Sequence, residues 1–488
     1  MCEHGRFAAR RSLRSVAPPQ SREVRKASRV LPRRGARLGC RLHQRGLSLT
    51  FFGRQRRYDC AELMKASARL TVTQPRPIRS PHLALLLLLC PLSVPAEAEV
   101  AVRGFVAARA SGTNAPVSWI DAGFGRLLGG DGDGASAALG GETRVEISYT
   151  ASSSWSARVH LGARADQHSK GRNLGVVEAF IDRRWAFDES RVQLRLGQFF
   201  LPTSLENIDP LWVSPYTLTH SALNSWMGEE FRPLGADLRL RRNLTSGNQI
   251  DLGITAFQNN DASGALLAWR GFALHDRVSY FGETLPLPPL ASLSDPTIFG
   301  EQNAAGSKPF GSDLDGRTGF AARSRFSSDR SLWQLSAVST RGDRNLYRGE
   351  YSWQTRFLTA GWEYNALGEG WGHAAELMHG NTRMGPTGRP NANIDMTTGY
   401  WLASFGADPW RYSVRVEAFA IDDIDKSIAE INDERGRALT LAALRQFEQW
   451  RVGIEYLCLD SERPAAAAEG EPPQAGGHQL KLEARYVF

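Results

Sequence analysis

The chain ends in Leu480-Lys481-Leu482-Glu483-Ala484-Arg485-Tyr486-Val487-Phe488, the stretch that decides its fold. Apolar and polar side chains alternate here without a break, and an aromatic residue stands at the carboxyl terminus. Successive side chains of a β-strand point to opposite faces. The apolar residues from Leu480 to Phe488 therefore share one face of a strand, and Lys481, Glu483 and Arg485 share the other.

The same alternation recurs far upstream. Seven further stretches show it, at residues 144–149, 155–164, 191–196, 236–241, 250–255, 411–418 and 451–458. One apolar face fits a soluble β-sandwich as well as a barrel that faces lipid. The opposite face carries full charges of both signs in stretch after stretch, which favours a barrel around a water-filled lumen.

The connections between these stretches alternate between short polar turns and long loops. The long loops lie near residues 111–141, 166–174, 200–231, 259–315, 341–346, 382–395, 422–434 and 461–476. Trp155, Trp333, Trp371, Trp410 and Trp450 follow short turns, as in an aromatic girdle at one membrane interface. Counting back from the last strand predicts about 16 strands (14–18). In this count Val100–Arg109 is the first strand and pairs with the last, and Trp119–Leu128 lies in the first loop.

Together these features resemble bacterial outer-membrane β-barrels, in particular the general and anion-selective porins. The resemblance covers residues 99–488 and rests on architecture, because no residue motif identifies a subfamily. It implies an all-β, transmembrane antiparallel barrel in outer-membrane lipid that passes small hydrophilic solutes or ions. It also implies a homotrimer, and recognition of Tyr486 and Phe488 by the barrel-assembly machinery.

The first fifth of the chain differs from the rest in charge. Residues 1–98 contain 20 Lys and Arg against 5 Asp and Glu, whereas residues 99–488 contain 39 against 46. Since the basic excess is confined to the first part, a nucleic-acid partner is not expected. The apolar run 83–94, with basic residues before it and Ala96-Glu97-Ala98 after it, predicts a signal peptide over 64–98, cleaved after Ala98. Residues 1–63 are expected to be an over-extended start or a disordered basic segment.

Motifs for catalysis or metal binding are weak in this sequence. It contains no HExxH, GxSxG, P-loop or CxxC pattern, and Cys458 is the one cysteine after residue 98. Neither Gly130–Gly134 nor Asp313–Gly316 completes a calcium-binding loop, so both are expected to be turns. His160 is expected to be a wall residue rather than a base. The sequence therefore predicts no enzyme activity, no cofactor and no metal.

The loop at residues 200–231 is unusually apolar and aromatic for a solvated loop. In porins, which this chain resembles, a long early loop folds into the barrel and narrows it. We therefore expect this loop to hold its acidic side chains opposite an arginine-bearing wall, a field that would select ions. The constriction candidates are Glu206, Asp209, Glu229 and Glu230 on the loop, and Arg144, Arg158, Arg164, Arg191, Arg195, Arg239 and Arg241 on the wall. The alternative is an external loop whose aromatic side chains pack on each other or on a neighbouring protomer.

Three functions remain compatible with the sequence. A passive porin is favoured, with a mild preference for anions but without the lysine-rich constriction of phosphate-selective relatives. A lipid-modifying outer-membrane enzyme is the second. A closed structural or adhesive barrel is the third, and it is favoured if the loops at 200–231 and 259–315 fill the lumen.

Overall fold

The structure, a computed structural model, describes residues 98–488 other than residues 133, 167–171, 246, 386–390 and 426–430. The side chains of residues 166 and 303–305 are likewise left undescribed. The expected signal peptide up to residue 97 and the segment 1–63 lie outside the described residues.

Sixteen antiparallel strands close into one barrel, and two short strands form a separate hairpin. The barrel strands are β1 (Glu99–Thr113), β2 (Ser136–Thr150), β3 (Trp155–Asp166), β4 (Leu174–Ala186), β5 (Ser190–Gln198), β6 (Leu234–Asn243), β7 (Gln249–Gln258), β8 (Gly319–Ser327), β9 (Ser331–Ser339), β12 (Gln354–Tyr364), β13 (Gly370–Met384), β14 (Ala392–Ala407), β15 (Trp410–Asp423), β16 (Glu434–Phe447), β17 (Trp450–Glu462) and β18 (Gly477–Val487). The hairpin consists of β10 (Leu346–Tyr347) and β11 (Glu350–Tyr351).

Among the residues described, helices occur in the loops. They are α1 (Ala222–Glu230), α2 (Ala265–Trp269), α3 (Ala291–Ser294), α4 (Gly300–Ala305) and α5 (Ala465–Ala468), with a 3₁₀ turn at Trp119–Asp121. In the part of the chain that the structure describes, no helix combines the length and the apolar character that crossing a membrane requires.

The predicted barrel and its strand count are confirmed. Strand β1 pairs with β18 in the register Phe105↔Val487, so the first and last strands form the closing seam. Trp119–Leu128 lies in the first long loop, as expected. Strand β12 begins only at Gln354, because Arg348 (φ 55°) and Gly349 (φ 84°) turn the preceding chain back into the β10–β11 hairpin.

The two faces of the barrel wall have opposite character. Outward side chains are apolar and exposed, for example Leu335, Leu358 and Trp371. Inward side chains are mostly polar or charged, and many are buried, among them Lys481, Glu483 and Arg485 of the closing strand. The apolar outer face matches the hydrocarbon of a bilayer, whereas the inward charges are covered by chain segments inside the barrel.

Two long segments supply that cover. We call residues 199–233 the inner loop and residues 259–318 the cap loop. Together with residues 114–135, they place a hydrophobic core inside the barrel, in which Trp226, Trp269 and Leu274 are fully buried. The lumen is therefore partly filled by protein, and what remains open lies around these two loops.

Candidate functional site

The inner loop crosses the lumen and contacts the wall on several sides. The Phe200 amide donates to Glu178 of β4 at 2.8 Å. Arg144 of β2 donates to the Leu211 carbonyl at 3.0 Å. On the far side, the Leu218 amide donates to Glu455 of β17 at 2.6 Å. The inner loop thus lies inside the barrel, as the sequence predicted, rather than outside it.

Helix α1 is fixed at its amino-terminal end by carboxylates. Ser221 caps the helix by accepting a hydrogen bond from the Asn224 amide at 3.2 Å. The Ser221 amide donates to Glu206 at 2.9 Å, and the Ala222 amide donates to Glu417 of β15 at 2.7 Å. Free amides and the helix dipole both favour anions at this position. These carboxylates therefore hold the inner loop in one orientation.

Glu206 is the centre of this anchor. It is fully buried and forms an ion pair with Arg415 of β15, which is itself fully buried. Arg415 also donates to the Thr219 carbonyl at 2.7 Å and pairs with Glu417 at 2.9 Å. Since every partner is desolvated, loss of one member would leave a buried charge uncompensated. Glu206 thus anchors the inner loop to strand β15 of the wall.

The other three acidic candidates have separate environments. Asp209 lies 3.6 Å from Arg451 of β17, and burial raises its pKa. Burial alone would raise the pKa of Glu229, but Arg270 at 2.8 Å and His275 at 3.1 Å outweigh it and lower that pKa. Glu230 accepts from the Trp226 indole at 2.7 Å, and burial raises its pKa to about 7. Of these three, only Asp209 is partly exposed.

The wall arginines pair with wall acids or with loop carbonyls. Arg195 binds Asp182 at 2.8 and 3.1 Å, and Arg239 and Arg241 share Asp251. The remaining candidates have these environments: Arg144 pairs with Glu142 at 2.8 Å, Arg164 with Glu283 at 3.3 Å, Arg158 lies 3.9 Å from Glu146, and Arg191 is exposed.

The expected opposition between the inner-loop acids and these arginines is not what the described residues show. The reason is electrostatic: wall acids pair with Arg144, Arg158, Arg195, Arg239 and Arg241, and Glu283 of the cap loop pairs with Arg164. The inner-loop acids therefore meet Arg415, Arg451 and Arg270 instead. Sequence reasoning missed Arg415, although its alternation with Val414 and Val416 marks it as inward. Whether the eleven candidates line a conducting path stays a prediction.

Two cavities lie at opposite ends of the barrel, one beside the inner loop and one beside the cap loop. At the end with the short turns, a cavity of about 440 Å³ is lined by Asp209, Arg411 and Arg451. At the end with the long loops, a cavity of about 90 Å³ is lined by Arg109, Glu142, Asp276 and Lys481, among others.

A continuous series of ion pairs joins these cavities along β17, β18 and β1. We call it the ion-pair column: Asp209, Arg451, Glu483, Arg109, Asp276 and Lys481. Arg451 lies 3.6 Å from Glu483, and Glu483 lies 2.8 Å from Arg109. Arg109 lies 2.8 Å from Asp276, which lies 3.1 Å from Lys481. Burial would raise the pKa of Asp276, but Arg109 and Lys481 hold it well below its usual range.

The short-turn end of the lumen is open to water. Arg103, Arg158, Arg184 and Arg241 point inward, yet their side chains are 33–46% exposed. Arginines outnumber acids on the inner face of the strands at this end. The arginines are Arg103, Arg158, Arg184, Arg191, Arg195, Arg239, Arg241, Arg323, Arg325, Arg411, Arg451 and Arg485, and the acids are Glu99, Glu146, Asp182, Asp237, Asp251, Glu363 and Glu483. This vestibule is therefore positively charged.

The chain is similar in structure to several outer-membrane proteins. The chain is similar to the outer membrane channel DcaP of Acinetobacter baumannii, with 10% identity, a TM-score of 0.47, and coverage of 80% of this chain and 98% of that one. It is also similar to the anion-selective porin from Comamonas acidovorans (12% identity, TM-score 0.46, coverage 80% and 100%) and to Pseudomonas putida OprB (9%, 0.44, 80% and 94%). Neither a protein-family model nor a curated protein sequence matches the chain.

Proposed function

We propose that the barrel lies in the outer membrane and lets small hydrophilic solutes diffuse across it. The ion-pair column carries this proposal, because it joins a cavity at one end of the barrel to a cavity at the other. Charged side chains that pair with one another can exchange their partners for a passing ion or for water. The short-turn end is assigned to the periplasm, as in other outer-membrane barrels.

A mild preference for anions is part of the proposal. The positive vestibule raises the local concentration of anions before they reach the column. Within the column, Arg109 bridges Glu142, Asp276 and Glu483, each at 2.8 Å, and is the cation that a passing anion would meet. This proposal replaces the arginine set predicted from sequence with a cation on β1 that the sequence analysis did not select.

Single-channel recording in planar bilayers tests the proposal. We expect small ohmic steps from the wild-type protein and a weak anion selectivity. Arg109→Gln should shift the selectivity toward cations, because it leaves three acids without their shared partner. Arg437→Gln is the control, since Arg437 is an exposed rim residue outside the lumen. A wild-type protein that is folded but never conducts would contradict the proposal.

A closed structural barrel is the second candidate, and the hydrophobic core inside the lumen favours it. Trp226, Trp269 and Trp353 are fully buried there, and Phe231 packs against Phe257 and Phe357. If the barrel is closed, replacing residues 204–228 with a short glycine-serine linker should create conductance where the wild type has none. If the barrel is a porin, the same deletion should enlarge a conductance that already exists.

The remaining parts of the proposal concern partners. We propose that the protein forms a homotrimer, contacts outer-membrane lipid and is recognised through Tyr486 and Phe488 by the barrel-assembly machinery. The exposed apolar outer face is consistent with all three. We also propose that the protein has no enzyme activity. His160 lies 3.5 Å from Glu178 and serves as a wall residue in this proposal.

A further inference from the structure

Part of the inner loop forms a tight turn in an unfavourable backbone conformation. The Asp209 amide donates to the Val213 carbonyl at 3.2 Å and closes this turn. Within the turn, Leu211 (φ 66°) and Trp212 (φ 55°) both have positive φ. Residues other than glycine rarely adopt this conformation, and they keep it only where their surroundings hold them in place. We call residues 209–213 the inner-loop tip.

Buried contacts hold one side of the inner-loop tip. Arg144 of β2 donates to the Leu211 and Trp212 carbonyls at 3.0 and 3.4 Å. Leu211 also belongs to a buried apolar cluster with Phe105 and Ala107 of β1. Since all five residues are buried, this side of the tip is shielded from water.

The other side of the inner-loop tip depends on a partly exposed ion pair. The Asp209 carboxylate is 35% exposed and lies 3.6 Å from Arg451 of β17. Ion pairs with well-formed hydrogen bonds are shorter, at about 2.7–2.9 Å. Burial raises the pKa of Asp209 in spite of the arginines around it, so this carboxylate would be more stable in water. Of the contacts that hold the tip, this one is the most easily exchanged.

Arg451 has hydrogen-bonding capacity that the fold does not use. Its side chain is only 9% exposed, and it lies 3.6 Å from Glu483 as well as from Asp209. Its Nε–H has no hydrogen-bond partner among the residues that the structure describes. A buried donor without a partner costs free energy, and a carboxylate can accept from two N–H groups of one guanidinium side by side. A free carboxylate would therefore satisfy Arg451 better than Asp209 does.

The cavity beside this ion pair has room for such a carboxylate. Its volume is about 440 Å³, and Asp209, Arg411 and Arg451 lie on its wall. Arg411 donates to backbone carbonyls and to one hydroxyl, and it forms no ion pair with an acid in the described part of the chain. Glu369 and Asp408 also face this cavity, but both lie on exposed turns at its edge. The less exposed charges around the cavity, apart from Asp209, are thus cations.

We propose that Asp209 occupies the binding site of a small carboxylate solute on Arg451, and that a free carboxylate displaces it and releases the inner-loop tip. The exchange replaces one carboxylate on Arg451 by another, while Asp209 moves into water. The turn then loses the support of one side, and its positive-φ residues can relax. This site rests on the proposed function, because it names carboxylates as the anions that the channel favours.

Thiol labelling of the inner-loop tip tests the site. Val213→Cys places a thiol at a position that is buried in the closed tip, and Cys458, the one other cysteine after residue 98, is buried as well. The purified, folded protein is treated with a water-soluble maleimide in sodium chloride or in sodium acetate of equal ionic strength. We expect labelling to be about tenfold faster in acetate, which is within the usual range for coupled sites.

Two variants in the Val213→Cys background separate the exchange from other causes. Asp209→Asn removes the charge that holds the tip, so labelling should be fast in chloride and acetate should add little. Glu369→Gln is the matched control, because Glu369 faces the same cavity but pairs with no arginine among the described residues. It should respond to acetate as Val213→Cys alone does. Leu211→Cys is the second probe if Val213→Cys does not fold.

Several results would overturn the site. Equal labelling in chloride and acetate would do so, as would a response to acetate that persists in Asp209→Asn. An equal response to sodium phosphate would assign Arg451 to anions in general and contradict the preference for carboxylates. Failure of the porin proposal is seen separately, since labelling does not require conductance. A protein that responds to acetate but never conducts would keep the carboxylate site and lose the channel.

Discussion

Glu230 is a carboxyl group buried within the barrel whose close donors are all neutral. It accepts from the Trp226 indole and from the amides of Gly264 and Leu266 at 3.0 and 2.9 Å. Burial raises its pKa to about 7, so the folded protein favours the protonated form. A shift of this size corresponds to roughly 3 kcal/mol between the two protonation states.

This shift predicts a pH window for stability. The stability that Glu230 contributes is fully present below its unfolded pKa of about 4.5 and is lost as pH rises to about 7, because the folded state must then give up a proton it prefers to keep. Urea unfolding midpoints should therefore fall over this window in the wild type relative to Glu230→Gln. Above pH 7 the difference should be constant.

Glu229 provides the matched control at the next position. Its pKa is lowered, so its contribution to stability is present at neutral pH and is lost only as pH falls. Glu229→Gln retains Glu230 and should therefore lose stability between pH 4.5 and 7 as the wild type does, and it should be destabilised at neutral pH by loss of the pairs with Arg270 and His275. Identical pH profiles of stability for Glu229→Gln and Glu230→Gln would show that burial does not raise the pKa of Glu230.

At the scale of elements, the strands could be predicted from the sequence, whereas the contacts that the loops make inside the barrel could not. Each strand repeats with period two, and a one-residue slip would put charges such as Lys481 and Glu483 into lipid, so the register is fixed locally. The partner of Glu206 depends instead on where helix α1 comes to rest. Arg415 is 209 residues away along the chain, and no local pattern links the two.

The same limit applies to the cap loop. The sequence left open whether this loop fills the lumen, because its core with Trp226 and Phe357 forms only when two distant loops enter the barrel together. The ion-pair column likewise joins Arg109 near the start of the barrel to Glu483 near its end. Alternation placed both side chains inward, but the pairing follows from closure of the barrel.

Gly264 is one point where the cap loop touches the wall, and it yields a prediction at this scale. Its φ of 114° is unfavourable for other residues, and a Cβ there would collide with the hydroxyl oxygens of Thr355 and Thr382. Gly264→Ala should lower the free energy of unfolding by about 2 kcal/mol. Gly316→Ala is the control, with a φ of 74° but no atom within 4 Å of the added Cβ. Equal losses of unfolding free energy in Gly264→Ala and Gly316→Ala would assign the effect to backbone conformation alone.

For the whole molecule, closure depends on the seam between β1 and β18. Phe488 continues this seam, since its amide donates to the Gly104 carbonyl at 3.0 Å and its carbonyl accepts from the Gly104 amide at 2.8 Å. Its ring lies where a side chain at Gly104 would be. The missing side chain at position 104 thus makes room for the terminal ring.

Deletion of Phe488 should reduce the yield of closed barrel, because it removes two seam hydrogen bonds and the ring that covers Gly104. The measurement is the fraction of membrane-inserted protein that migrates as the compact, heat-modifiable form. Phe447→Ala is the control, since Phe447 is a similarly exposed aromatic residue at the same rim. Equal yields from the two variants would contradict a special role for the seam.

The hydrophobic core inside the lumen has a thermodynamic consequence. The outer face of the barrel contacts hydrocarbon whether the loops inside the barrel are packed or loosened. Little apolar surface on that face therefore moves into water when the loops loosen. The lumen core, in contrast, is held by exclusion of water and has the large heat-capacity change that accompanies it. On cooling, this core weakens while the wall does not. The loops inside the barrel should therefore loosen at low temperature within an intact wall, as a calorimetric transition separate from that of the strands.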